Sequence, residues 1–145
     1  YIYTARPRSK ILTVVTRAFA FTPQELPVCE QAPRDSLFLR SDGTVAPCIK
    51  LALGGPTTFR GEAVTMPSVH YGRLPGEDLM ALWEAESCQF YRNQFQQRVE
   101  KHDNIIMNGL LGGGGGNRAK VMKEAREAMP PPPGGCNVCH YLYDI

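Results

Sequence analysis

Five cysteines, Cys29, Cys48, Cys88, Cys136 and Cys139, constrain this chain more than any other feature. The number is odd and the sequence shows no secretory signal. That argues against a fully paired disulfide framework and for a reduced interior in which some thiols serve as metal ligands. Cys136-Asn137-Val138-Cys139 is the close pair. A C-x-x-C on a tight turn aims two sulfurs at one centre, as in zinc, iron–sulfur, haem and dithiol sites. Such a pair needs two further ligands, and 87 residues separate it from Cys48. The backbone between is poor material for long regular elements, with 14 glycines and 12 prolines in 145 residues. Something other than extended helices and sheets must hold the chain together.

Composition narrows the function classes. The length suits one domain, and 43% hydrophobic with 21% charged residues is ordinary for a soluble fold. A net charge of +2 is too balanced for a protein that grips nucleic acid by neutralising phosphates. No apolar run approaches the roughly 18 residues of a membrane span. The expectation is therefore a cytoplasmic chain whose partners are neither nucleic acid nor membrane. Because it begins at Tyr1 without a signal peptide, it is expected to be a piece of something larger.

Along the chain, residues 1–10 are basic and aperiodic, a solvated lead-in. Ile11 to Phe21 is rich in Val, Thr, Ile and Phe and predicts a buried strand. Thr22-Pro23-Gln24-Glu25 has the form of a helix start that Pro27 stops after one turn, so Cys29 arrives on a short stiff loop. Leu37 to Arg40 and Thr44 to Ala46 flank Ser41-Asp42-Gly43, a hairpin signal. A two-residue Asp42-Gly43 loop would pair Ser41 with Thr44 and set Leu37 opposite Cys48. Pro47 cannot donate to a ladder, so pairing should fail where Cys48 sits, beside the loop bearing Cys29. Residues 52–74 are expected to be a long loop. Residues 79–101 predict an amphipathic helix with Leu79, Leu82, Trp83 and Phe90 on its apolar face, Met80 and Tyr91 on its flank, and Cys88 opposite, near Phe95 and Val99. Ile105 to Leu111 is a short apolar stretch. Gly112 to Gly116 predicts a flexible joint, and residues 117–129 a second helix striped by Val121, Met122, Ala125 and Met129. Pro130 to Pro133 then leads as a stiff rod to the Cys136/Cys139 turn.

These features together resemble a known family. Cys29-x13-Gly43-x4-Cys48, with its short strand, Asp42-Gly43 turn and Pro47-Cys48, is similar to the opening signature of the SPASM and twitch auxiliary domains of radical S-adenosylmethionine enzymes. Tyr71-Gly72, Leu79, Trp83 and Phe90-Tyr91-Arg92 continue the likeness, which covers roughly residues 27–140. The full SPASM pattern has a C-x2-C-x5-C-x3-C run that this chain lacks, so the resemblance is to the shorter twitch type. It implies one [4Fe–4S] cluster with Cys29, Cys48, Cys136 and Cys139 as ligands. It also implies an α+β auxiliary domain over residues 27–145, after a lead-in and strand over 1–26. That domain would be loop-rich, a small β-hairpin and helices organised around the four-cysteine cluster. Its partner would be a radical S-adenosylmethionine barrel, upstream or in trans. Its role there would be to support electron transfer and substrate binding, with a peptide or protein as substrate. No C-x3-C-x2-C motif is present, so the chain alone is expected not to cleave S-adenosylmethionine.

Other readings of the residues stay open at this point. A cubane accepts thiolates from well-separated segments, whereas structural zinc usually takes two close knuckles, and 18 residues lie between Cys29 and Cys48. A zinc-stabilised, non-enzymatic interaction module is the alternative. Cys136-x-x-Cys139-His140 also has the form of a c-type haem attachment sequence, but haem would leave Cys29 and Cys48 unused. Cys88 belongs to no pair and is expected to be a bystander thiol. His70 and His102 are expected to be exposed, His140 a surface residue or neighbour of the metal, and Trp83 core. Glu84, Glu86, Arg92 and Arg98 should form a solvated face. The glycine run lacks the Lys-Ser/Thr of a phosphate-binding loop.

Overall fold

The computed structural model describes residues 2–5, 14–17, 24–111 and 117–143, and over these the chain is α+β. The supposed lead-in contains a strand, β1 (Ile2–Ala5), paired antiparallel with β2 (Val14–Arg17). Ile2, Tyr3 and Thr4 are good strand formers, a preference hidden by the basic residues after them. The remainder of the expected 11–21 strand, the Thr22 helix start and the 112–116 joint lie outside the described residues.

The hairpin forms between β3 (Phe38–Leu39) and β4 (Thr44–Ala46), one residue out of the expected register. Phe38 faces Ala46 and Leu39 faces Val45. The loop is three residues, Ser41-Asp42-Gly43, because Arg40 N–H donates to Thr44 O (2.9 Å) and Gly43 N–H to Arg40 O (3.0 Å). Such loops end on a residue in the left-handed region, here Gly43 at φ 85°. A side chain on Gly43 would strike the Leu74 carbonyl. Asp42 Oδ1 accepts from Thr44 N–H (3.0 Å), which holds its carboxyl below the ordinary carboxylate range. Pro47 ends the strand, and Cys48 caps α1 (Ile49–Leu53). The third strand of this sheet, β7 (Gly72–Arg73), pairs with the other edge of β4.

The expected long loop is largely a second hairpin, β5 (Gly55–Phe59) with β6 (Glu62–Met66). Its two-residue turn, Arg60-Gly61, has φ of 52° and 85°, the paired positive values of a tight hairpin. Arginine at the first turn position concealed it. The Arg60 guanidinium lies over the rings of Phe59 and Tyr143, at 5.2 and 4.8 Å.

The expected single helix is two: α2 (Leu79–Glu84) and α3 (Glu86–Leu111), the latter absorbing the apolar stretch after Ile105. Asp78 caps α2, accepting from Met80 N–H and Ala81 N–H. Ala85, with extended backbone (φ −62°, ψ 145°), breaks the run and resets its phase. The buried stripe of α3 is accordingly Cys88, Tyr91, Phe95, Arg98 and His102: Tyr91 from the flank of the expected apolar face, and the others from the side expected to face away from the core. Leu79 and Phe90 are 45% and 50% exposed, whereas Trp83 is half-buried and packs against the core, with the Arg92 guanidinium over its ring at 3.8 Å. The last helix, α4 (Arg118–Glu127), buries Val121 and Ala125 and packs on α3, where Gly109 lets Val121 approach. Thirteen buried residues from the Cys29 turn, β4 and the Cys48 position after it, α1, β6, Tyr71 ahead of β7, α2, α3 and the C-terminal turns form one core, and four of the five cysteines in it come from outside α3.

Candidate metal centre

Three separate stretches of chain bring Cys29, Cys48, Cys136 and Cys139 to one place. Cys29 opens a turn in which Ala32 N–H donates to Cys29 O (3.0 Å). Cys48 sits where β4 gives way to α1, its carbonyl accepting from Ala52 N–H (2.9 Å). Cys136 and Cys139 begin and follow a 3-10 turn, Cys136–Val138, closed by Cys139 N–H to Cys136 O (3.1 Å). A second 3-10 turn, His140–Leu142, follows at once. All four side chains are buried, none is in a disulfide, and they line one pocket with Leu51, Met66 and Leu142.

Burial pushes the Cys29 and Cys48 thiols up from their ordinary pKa, and pushes Cys136 up further. The next influences on Cys136 are Cys48, Cys29 and Cys139, so the four sulfurs sit within one another's fields. Such a set is unfavourable as four thiolates without a compensating cation, and ligation would have to displace its protons. Among the described residues, no group of three or more His, Cys, Asp or Glu side chains is drawn in tightly enough to hold a single ion. The donor chemistry nonetheless fits an iron–sulfur group: thiols only, buried, and supplied by well-separated segments.

Several side chains missed by sequence reasoning hold these stretches together. Arg98, expected to be solvated, is 0% exposed. Its Nη2 donates to Glu25 Oε1 (2.5 Å) and Leu26 O (3.0 Å), its Nε to Pro27 O (3.1 Å), and its Nη1 to Pro130 O. One guanidinium thus ties the approach to Cys29 and the rod before Cys136 to α3. The signal was present as the 3–4 spacing Cys88, Tyr91, Phe95, Arg98, His102. Leu26 N–H donates to Leu142 O (2.8 Å), joining the two stretches directly. Gly135 (φ 85°) lies so close to Pro67 and Leu51 that a Cβ would come within 2.7 and 2.9 Å of them.

The remaining candidates are scattered. Cys88 is buried on α3 but does not line the four-cysteine cavity. His70 is exposed, its ring beside Ser68 Oγ and Ala52 O. His102 is buried, against expectation, because α3 turns that face to the core, and its Nδ1 meets Asp103 Oδ1 at 2.9 Å. His140 is half-buried against Phe59, with ring centroids 5.6 Å apart, and lines a second pocket with Cys139 and Lys50. Tyr71 stands out: among the described residues its buried hydroxyl has no hydrogen-bond partner, and an unmet buried polar group costs roughly 1–3 kcal/mol.

Comparison with known families places the chain. The SPASM iron-sulfur cluster-binding domain matches residues 29–105. The chain belongs to the SPASM family. SPASM domains bind iron–sulfur clusters, and the matched span holds Cys29 and Cys48 and ends before Cys136. No curated protein and no solved structure matches the chain. The late pair of this SPASM domain is therefore brought to the cavity by the fold, outside the matched span. Among the described residues no helix is long and apolar enough to cross a membrane.

Proposed function

We propose that this SPASM domain holds one [4Fe–4S] cluster through Cys29, Cys48, Cys136 and Cys139. It would serve as the auxiliary cluster domain of a radical S-adenosylmethionine enzyme acting on a peptide or protein. The observation that carries this reading is the convergence of four buried, unpaired thiols from three segments on one cavity. When bound, the cluster supplies one-electron transfer, and four thiolates leave none of its irons open. The chain's own residues do the rest. Leu51, Met66 and Leu142 keep water from the sulfurs. Arg98 fixes the spacing between the early and late ligand segments. The pocket beside Cys139, lined by Lys50, His140 and the start of β5, gives a substrate a polar approach to the site. The partner in this reading is a barrel domain carrying the cleaving cluster, upstream or in trans, in the cytoplasm.

The test is anaerobic reconstitution with iron and sulfide, followed by metal analysis, visible absorption and incubation with S-adenosylmethionine under reduction. The expected result is a coloured protein with iron and sulfide in equal amounts that yields no 5′-deoxyadenosine. A colourless protein that binds stoichiometric zinc and excludes iron after anaerobic reconstitution would replace this reading with a zinc-stabilised interaction module. Repeated turnover to 5′-deoxyadenosine would show that one of the four cysteines is not a ligand.

A further inference from the structure

A second pocket adjoins the four-cysteine one, and its charge is one-sided. The two share Cys139 and Met66, so part of one wall is also the wall of the other. The second encloses about 130 Å³ between α1, the start of β5 and the junction of the two 3-10 turns. Lys50 and His140 line it, and among the described residues no Asp or Glu does. Neither enters an ion pair among those residues. Lys50 is exposed, with its ammonium 5.8 Å from the centre of the Tyr141 ring. His140 is half-buried against Phe59, and an imidazole has an N–H to donate in either charge state.

The backbone around this pocket leaves room for an anion. The carbonyls of Lys50 and Leu51 are already taken, by Gly54 N–H (2.9 Å) and Val69 N–H (2.8 Å). Gly55 has nothing within 4 Å of where a Cβ would stand, so that side is open. Leu53, Met66 and Val138 add apolar surface, which a bare inorganic anion cannot use. Nitrogen donors beside apolar side chains suit a carboxylate carried on a short aliphatic stem. We propose that this pocket binds a carboxylate of the peptide or protein substrate, held by Lys50 Nζ and a ring N–H of His140. That contact sets a substrate residue against the Cys139 side of the metal centre. An Asp or Glu side chain and a chain end present the same group. The inference rests on the function proposed above, which supplies the cluster and the class of substrate.

The experiment uses the full chain, reconstituted anaerobically and reduced, with three short glycine peptides as probes. One is capped at both ends and carries a single Glu, one has a free terminal carboxylate, and one is capped and neutral. The reduced cluster is paramagnetic, so the proton signals of a peptide seated beside Cys139 should broaden. At least one carboxylate peptide should broaden and the neutral one should not, and the peptide that broadens identifies the source of the group. Lys50→Met keeps a stem along Tyr141, and His140→Phe keeps a ring against Phe59. Each should raise the dissociation constant by roughly fivefold. Lys123→Met removes an exposed charge on α4, outside the pocket, and should leave it unchanged. Equal broadening of all three peptides, broadening of none by the loaded chain, or equal weakening in Lys123→Met would overturn the proposal. Displacement of the peptides by inorganic phosphate at equal concentration would overturn the carboxylate assignment. A chain that takes up no iron would defeat the cluster reading instead. Saturation transfer from that unloaded chain to the same peptides needs no metal and tests the pocket by the same comparisons.

Discussion

The early and late ligand segments reach the same cavity by different means. Around Cys48 the contacts are largely local: β4 lies between β3 and β7, residues 44–48 are all buried, and the Cys48 carbonyl starts α1. Cys136 begins the first of two consecutive 3-10 turns and Cys139 joins them, and among the described residues neither cysteine belongs to a sheet. Distant groups hold them instead: Leu26 to Leu142, Tyr91 to Gly134, Arg98 to Pro130, and Gly135 pressed against Pro67 and Leu51. The early segment can keep its shape without help, whereas the late one depends on tertiary tethers and, in the proposed function, on metal. Damage to the late half should therefore cost the site more than comparable damage to the early half.

The largest effect expected is from Cys136→Ala. It removes a ligand and a link between the turn and the rest of the site, so iron should be lost almost completely on desalting. Cys88→Ala, from an equally buried thiol outside the cavity, should keep its iron and lose only about 1 kcal/mol of packing. Equal iron loss in the two would break the distinction between ligand and bystander.

Next in size is Arg98→Met, which keeps bulk but strips the donors from Leu26, Pro27 and Pro130 and leaves Glu25 without its cation. Unfolding by denaturant should show a loss of roughly 3 kcal/mol or more. Hydrogen exchange should rise most at residues 24–29 and 130–143, with residues 44–53 little changed. Uniform loosening of all three stretches would mean that the early segment is no more self-sufficient than the late one.

Gly135→Ala should follow, at roughly 2 kcal/mol, from a left-handed backbone and a methyl forced against Pro67 and Leu51. Faster iron loss at unchanged helix content would be its signature.

Those two residues show what the sequence did and did not make legible. The spacing of Cys29, Gly43, Cys48 and the closing Cys136-x-x-Cys139 was readable because turn chemistry and ligand type are written locally. Asp42-Gly43 announced the hairpin, yet its register slipped by one because the same residues serve a two- or a three-residue loop. The hydrogen bond from Arg40 N–H to Thr44 O chooses between them. The β5–β6 hairpin hid behind Arg60, a residue that rarely takes positive φ and is stacked here on Phe59 and Tyr143. The break at Ala85 carries no proline or glycine to mark it, and extrapolating one helical phase across it placed the core on the wrong face of α3. Arg98 followed from that error: charge suggested solvent, while its true partners are carbonyls at least 32 residues away. The Tyr71 hydroxyl had no sequence signal, since only packing shows that it lacks a partner among the described residues.

The smallest effect belongs to the early half. Asp42→Asn weakens the acceptor that Thr44 N–H uses and removes the charge beside Arg40 and Arg73. The Asp42 carboxyl is held below its ordinary pKa in the folded chain, mainly by Thr44 N–H. Its contribution is present above the unfolded carboxylate pKa and is lost as pH falls through the lower folded value. The variant should melt slightly lower than wild type at neutral pH, and the two should converge in acid. A difference that widens in acid would reverse the sign and contradict the assigned contact.

Native mass spectrometry of the anaerobically reconstituted full chain, as wild type and as the Cys136→Ala/Cys139→Ala variant, tests the central claim most directly. The account predicts that wild type carries the mass of one [4Fe–4S] cluster and that the double variant carries none. A double variant that keeps the same cluster mass would show that the late pair does not hold it, and would contradict the account.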